Sequence, residues 1–372
     1  MKIIYLANIR LPTEKAHGWQ IMKMCEAFTD LGHEVELVVP RRLNNLTADA
    51  FAYYNLPKKF KIIKLPCLDL IFMDKVIGNL AFWLASVTFF IFCKFYLPFR
   101  KHDIVYTREE QFFSWLKPAY LELHTLPRKI KFYHRFFWRQ FRKIIVLTNF
   151  LKKSLETQGI DAKNILVASD GVDFEEFNLQ ISRAEAREKL GLPIDKKLVV
   201  YTGHLYDWKG AQTLADAATH LPAEVQVVFV GGTNEDADNF KEKNQNVKNI
   251  IITGHKPHNQ IPFYLKAADV LVLPNSGKEK ISQFYTSPLK LFEYMASGTP
   301  IVASYLPSLL EVLNEGNSVL VKPDNPQTLA EGISKNLRDK QFAVEISLQA
   351  LKESKEYSWQ KRAERIIDFI KS

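Results

Sequence analysis

Short, unbroken apolar runs bounded by turn residues recur along the chain. They are KIIYLAN at 2–8, VELVVP at 35–40, KIIKL at 61–65, DIVYT at 103–107, AYLEL at 119–123, IIVLT at 144–148 and ILVAS at 165–169. A second series follows: KLVVYTG at 197–203, VQVVFVGG at 225–232, NIIITG at 249–254, VLVLP at 270–274 and PIVAS at 300–304. Runs of this kind, without strict alternation, predict strands buried on both faces, as in parallel sheets. GWQIMKMCEAFTDLGHEVELVVP at 18–40 reads as helix, glycine stop and strand, a βαβ unit. Two such series predict two doubly wound α/β domains facing across a cleft, with ligands at the carboxyl ends of the strands. The charged stretch Gly171 to Asp195 between them reads as the linker. No low-complexity segment and no fixed-period repeat is present.

One stretch breaks the pattern. SPLKLFEYMASGTPIVAS, Ser287 to Ser304, places Glu293 in or beside the buried stripe of a predicted helix that Gly298 stops. A carboxylate there needs a partner. Lys290, three residues back, would make a surface pair worth a few tenths of a kcal/mol. A ligand is the other choice.

Composition narrows the field. The chain has 372 residues, 47% apolar and 24% charged, which suits a globular protein of two domains. Fifty Lys and Arg against 41 Asp and Glu leave +9, which favours anionic partners. Cys25, Cys67 and Cys93 are far apart, with no metal-ligand spacing and no disulfide framework. The N-terminal apolar run is too short for a signal peptide and reads as the first strand.

Candidate chemistry lies just beyond strand ends. In VYTGHLYDWKGAQTLADA, Gly203, His204 and Lys209 follow a strand, and Lys209 and Gly210 open a helix, a setting that favours a phosphate. The alternative is a solvated loop lysine. In LPTEKAHGWQ, Gly18 starts the first helix beside Lys15 and His17, where a capped helix start is the plain alternative. YLELHTLP ends a strand with Glu122 and His124, and VYTRE ends another with Arg108 and Glu109.

These segments, in this order, resemble the retaining GT-B glycosyltransferases of family 4. GHLYDWKG is similar to that family's phosphate-binding segment, AADVLVLPNS to its ADVFVLPS, and KLFEYMASGTPIVAS to the second half of its Glu-x7-Glu motif. VASDGVDFEEF resembles the segment that closes the first domain, and YSWQKRAERIIDFI the terminal helix that crosses back onto it. The resemblance implies a Rossmann-like acceptor-side domain over 1–175, a nucleotide-sugar domain over 176–355, and a returning helix over 356–372. It implies a metal-independent, retaining transfer from a nucleotide-diphosphate sugar to a glycan or lipid-linked acceptor in polysaccharide biosynthesis, with no cofactor. It assigns ribose binding to Glu293 and leaving-group stabilisation to Lys209. Gly18, His204, Gly210, Tyr285, Ser287, Lys290 and Leu291 complete the donor set. His124 meets the donor sugar, and Lys15, His17, Arg108 and Glu122 fall on the acceptor side. Two positions depart from the family: His204 stands for an arginine, and Tyr285 for the first glutamate of the motif. Two other readings share some features. An epimerase of the same fold would need acid/base carboxylates, and a non-catalytic basic membrane-binding protein would explain the charge alone.

Two segments bear on membranes. LAFWLASVTFFIFC, Leu80 to Cys93, is too short to span a bilayer and predicts a buried helix. PRKIKFYHRFFWRQFRKIIVL lies in a stretch, Leu123 to Leu155, without an acidic residue. Tyr133, Phe137 and Phe141 recur beside Lys131, Arg135 and Arg139 at a period of four, the pattern of an interfacial helix. The resemblance and this stripe predict a cytoplasmic protein at the inner face of the cell membrane, with an anionic lipid surface and no nucleic acid as partner.

Overall fold

The computed structural model describes residues 1–71, 76 and 78–372. The chain forms two compact units, Met1–Ser169 with Trp359–Ser372, and Asp170–Ser358. Against the expected boundaries, the first division falls at Ser169 rather than 175 and the second at Ser358 rather than 355.

Among the described residues the first unit holds a seven-stranded sheet in the order β3-β2-β1-β4-β5-β6-β7. Its strands are β1 (Lys2–Leu6), β2 (Glu34–Pro40), β3 (Lys61–Leu65), β4 (Ile104–Thr107), β5 (Ala119–Leu123), β6 (Lys143–Val146) and β7 (Ile165–Val167). All neighbours run parallel, with Ile4 beside Val105 and Tyr106 beside Tyr120. The order reverses between β1 and β4, where ligands of doubly wound sheets bind. The Trp359–Lys371 helix packs against the Ala16–Asp30 helix of this unit.

The second unit repeats the plan with β10-β9-β8-β11-β12-β13, again parallel throughout. These strands are β8 (Lys197–Thr202), β9 (Val225–Val230), β10 (Ile250–Ile252), β11 (Val270–Leu273), β12 (Ile301–Ser304) and β13 (Val319–Val321). Val227 to Val230 and Val270 to Leu273 are wholly buried, because helices cover both faces of the sheet. The three-residue β13 escaped the sequence analysis, being too short to show a pattern.

Three expectations change. The predicted linker is part of the second unit: Val172, Phe177, Ala186 and Leu192 enter its core. Arg187, buried there, donates to the carbonyls of Ala267 and Lys196 and to Asp269. Its many charges are those of a capped surface helix, Arg183–Leu190, which Ser182 and Glu185 start and Gly191 ends.

The Leu80–Cys93 segment is helical within Asn79–Tyr96, but only one face is buried, through Ala81, Ala85, Phe89, Phe90 and Cys93. A helix apolar all round gives no periodicity to mark which face meets solvent. The aromatic stripe also differs. The helix covers only Phe132–Trp138, so Phe141 lies beyond it and is buried. Phe132 and Phe136 are the exposed aromatics, while Lys131, Arg135, Arg139 and Arg142 are exposed as expected.

Candidate active site

The carboxyl ends of β1, β4 and β5 surround a cavity of about 250 Å³ in the first unit. His17, Arg108, Glu109, Glu110, Glu122 and His124 line it. Glu122 is fully buried and saturated. Its Oε1 accepts from Gln20 Nε2 at 2.8 Å, His124 Nε2 at 2.5 Å and Arg362 Nη2 at 3.0 Å, and its Oε2 accepts from the Tyr106 hydroxyl. Burial alone would raise its pKa, but Arg362 and then His124 outweigh burial and hold it well below the usual carboxylate range. Glu122 was expected on the acceptor side. It lines the cavity, orients His124 and anchors the C-terminal helix.

Because an ionised Glu122 accepts from Nε2–H of His124, the other ring nitrogen, Nδ1, is left as an acceptor for a hydroxyl. Burial, and then Arg108, push the His124 pKa down to about 4. Burial followed by Arg108 and Lys15 does the same to His17. Both rings are therefore neutral near pH 7. Arg108 Nη1 donates to Gln20 Oε1 at 2.8 Å. Burial raises the pKa of both Glu109 and Glu110. Glu110, which the sequence analysis did not single out, accepts from the Trp138 indole. Lys15 is exposed at the helix start. Gly18 owes its identity to packing: a Cβ there would lie 2.1 Å from the Tyr54 hydroxyl.

In the second unit Gly203 follows β8 directly, and its φ of +118° suits glycine. A Cβ built on Gly203 would lie 3.8 Å from Lys290 Nζ and 4.0 Å from Lys209 Nζ. Two lysines 81 positions apart thus converge on one patch of backbone. Lys290 donates to the Thr202 carbonyl at 3.0 Å, and its Nζ lies 3.7 Å from the Tyr201 ring centroid. Burial and then Lys209 push its pKa well down. Burial lowers Lys209 to about 8 even though Glu293 pulls the other way. Gly210, with φ +73°, lets the helix Ala211–Ala218 start hard against β11: a Cβ would lie 1.8 Å from the Pro274 carbonyl oxygen.

Glu293 is buried on the Leu289–Ala296 helix, and its ionic partner is not Lys290. His258 Nε2 stands 3.5 Å from Glu293 Oε1, and His258 Nδ1 stands 3.3 Å from Glu176 Oε1. Sequence reasoning missed both His258 and Glu176. The only signal was that His258 follows the GHKP loop at the end of β10, another strand terminus of this sheet. His204 stacks on Tyr206 at 4.9 Å with the rings within 1° of parallel, and its carbonyl accepts from the Tyr201 hydroxyl at 2.6 Å. Ser287 Oγ accepts from the Asp170 amide at 3.0 Å. Burial raises the Tyr285 pKa. Leu291 was expected to meet the donor. Its side chain lies in the core, 1% exposed, and its amide donates to the Pro288 carbonyl at 2.9 Å.

Two doubly wound units, with lysines and a carboxylate gathered at the strand ends of the second, define a GT-B protein. Over the full chain the fold matches sucrose-phosphate synthase from Thermosynechococcus elongatus (TM-score 0.77, 18% identity, 100% of this chain and 98% of that one). It also matches HepE from Anabaena, solved with UDP and glucose (TM-score 0.75, 19% identity, 100% of both chains). At such identities the likeness is one of fold. Residues 182–353 match the family described as glycosyl transferases group 1. Its relatives include the D-inositol 3-phosphate glycosyltransferase of Xylanimonas cellulosilytica, 28% identical over 56% of this chain and 52% of that protein. Another is the putative teichuronic acid biosynthesis glycosyltransferase TuaC of Bacillus subtilis, 30% identical over 45% of this chain and 39% of that protein. The chain spans about half the length, or less, of the curated relatives it matches.

Proposed function

We propose that the protein is a metal-independent, retaining glycosyltransferase that moves a sugar from a nucleotide-diphosphate donor to a glycan or lipid-linked acceptor. The convergence of Lys209 and Lys290 over Gly203 carries this reading. Two ammonium groups so close repel each other and resist burial, and an anion between them relieves both costs. A diphosphate supplies that anion, and Glu293, beside them, has a carboxylate oxygen for a ribose hydroxyl.

In the transfer, the bond from the anomeric carbon to the diphosphate breaks and one from that carbon to the acceptor oxygen forms. The acceptor proton passes to the leaving phosphate, whose growing charge the lysines stabilise. Retention rests on the family resemblance. In the first unit's cavity, neutral His124 presents Nδ1 to a sugar hydroxyl while Glu122 holds the ring.

The acceptor reading favours a lipid. The Asn79–Tyr96 helix exposes Leu80, Phe82, Trp83, Ile91, Phe92 and Phe95, the last 68% exposed. Its Trp83 ring meets Phe112 at 6.2 Å, and Phe112 meets Phe137 at 5.6 Å, so the apolar surface continues to the Phe132–Trp138 helix with its exposed arginines. Aromatic and aliphatic groups fringed by cations suit an anionic bilayer surface. The buried face of the Asn79–Tyr96 helix favours lying on the bilayer over crossing it. A place at the inner face of the cell membrane follows from this reading.

Release of nucleoside diphosphate from a panel of nucleotide sugars, with and without membrane lipid as acceptor, tests the activity. Failure of every nucleoside diphosphate to bind would overturn it. Sedimentation with anionic and neutral vesicles tests the surface. Selective binding to anionic vesicles that falls with salt is expected, and Arg135→Glu with Arg139→Glu should weaken it.

A further inference from the structure

His258 takes no part in the transfer derived above, yet it stands between Glu293 and a second carboxylate. It lies just after Pro257, in the turn that opens the Ile261–Ala267 helix. Its two ring nitrogens meet carboxylates from two other elements: Glu176 of the short Phe174–Phe177 helix and Glu293 of the Leu289–Ala296 helix. The Phe177 ring closes on its edge at 5.7 Å and 82°. A ring gripped from two sides and packed against a third has one orientation.

We infer that His258 is a positioning residue for ribose recognition: it fixes Oε1 of Glu293 from behind and leaves Oε2 to accept from the ribose hydroxyls. The inference rests on the nucleotide-sugar reading and goes beyond it by naming what sets the carboxylate's geometry. A free glutamate on a helix samples several χ3 angles, so a diol must wait for the one that fits; His258 removes that wait. Glu176 has the matching task on the far nitrogen. It keeps the imidazole charged, since burial alone would strip the proton, and the two carboxylates together raise its pKa to about 9.

The groups facing this ring and its carboxylates are Glu176, Glu293, Lys209 and Lys290. Lys209 also titrates, near 8, but it acts on the phosphates. Phosphate binding is common to a ribonucleotide and its dideoxy counterpart, so it cancels in the ratio of their affinities. Titration of the base cancels in the same way. That ratio isolates the ribose contact.

Calorimetry with UDP, GDP and their 2′,3′-dideoxy counterparts, on wild type, His258→Gln and Glu293→Gln, decides the matter. The wild type should prefer the ribonucleotide at least tenfold at pH 7. His258→Gln should cut that preference to threefold or less and leave affinity for the dideoxy form unchanged. In the wild type the preference should fade as pH rises through about 9, where His258 loses its proton, and in His258→Gln it should be flat. A folded His258→Gln protein that keeps the full preference overturns the inference and leaves the donor reading standing. A wild type that binds nucleotides without preferring ribose overturns the ribose role of Glu293 and this inference with it. A wild type that binds neither of these is tested with the remaining nucleoside diphosphates and their dideoxy counterparts, and one that binds none of them overturns the donor reading itself. If His258→Gln does not fold, the wild-type pH profile decides, and a preference unchanged from pH 7 to 10 overturns the inference.

Discussion

Replacing Lys209 by alanine separates leaving-group stabilisation from simple binding. A Cβ built on Gly203 would lie about 4 Å from both lysine ammoniums, and an anion seated at that point would meet both at the same distance. At that distance a unit charge pair is worth ~4 kcal/mol at an effective dielectric constant of about 20. In the ground state most of this is offset by stripping water from both ions. The charge that develops as the glycosidic bond breaks arrives after the water has gone, so its stabilisation is not offset. With about half a unit of charge developed in the transition state, Lys209→Ala should cost ~2 kcal/mol, or ~30-fold in turnover. The donor KM should change only a few-fold. Initial rates of nucleoside diphosphate release at saturating donor and pH 7 measure both quantities. The wild-type kcat/KM should also fall above about pH 8, where Lys209 in the free enzyme loses its proton. A raised KM with kcat intact would refute the argument and reduce Lys209 to a binding residue.

Arg362→Met should destabilise the protein by about 3–5 kcal/mol, because it strands the carboxylate of Glu122 in the core; urea unfolding measures this. Gly210→Ala should lower the thermal midpoint and abolish nucleotide binding, since its Cβ would collide with the Pro274 carbonyl at 1.8 Å. Turnover should survive EDTA, because lysines take the counter-ion role in the proposed site. Loss of activity that Mg²⁺ or Mn²⁺ restores would contradict this.

The architecture was legible because parallel strands covered on both sides need unbroken apolar runs, as at Val270 to Leu273, which turn residues punctuate. Lys209 and Glu293 could be marked because each departs from its local pattern, one at a strand end and one in an apolar stripe. Glu293's partner could not be read. His258 is 35 positions away and Glu176 117, and only the sheet order brings them together. Lys290, one of the two alternatives for Glu293, fails as a partner for a local reason: spacing of three on a helix permits a pair, but the backbone carbonyl of Thr202 takes the ammonium. The solvent face of the Asn79–Tyr96 helix was hidden because an all-apolar sequence leaves no polar side to mark it.

The first unit is made of two pieces of chain, and they emerge from the ribosome far apart in time. Arg362, which binds the Ser169 carbonyl and Glu122, is 193 residues beyond Ser169. At ordinary synthesis rates of about 5–20 residues per second, roughly 10–40 s separate the two. During that interval Glu122 lacks Arg362, the strongest of the charges that hold it ionised, and only His124 and Arg108 oppose the effect of burial on its carboxyl. The nascent first unit therefore holds the ionised form of Glu122 less firmly until the last helix docks. The second unit, whose 189 residues are continuous, faces no such delay and can finish folding before the first unit, most of which is translated earlier.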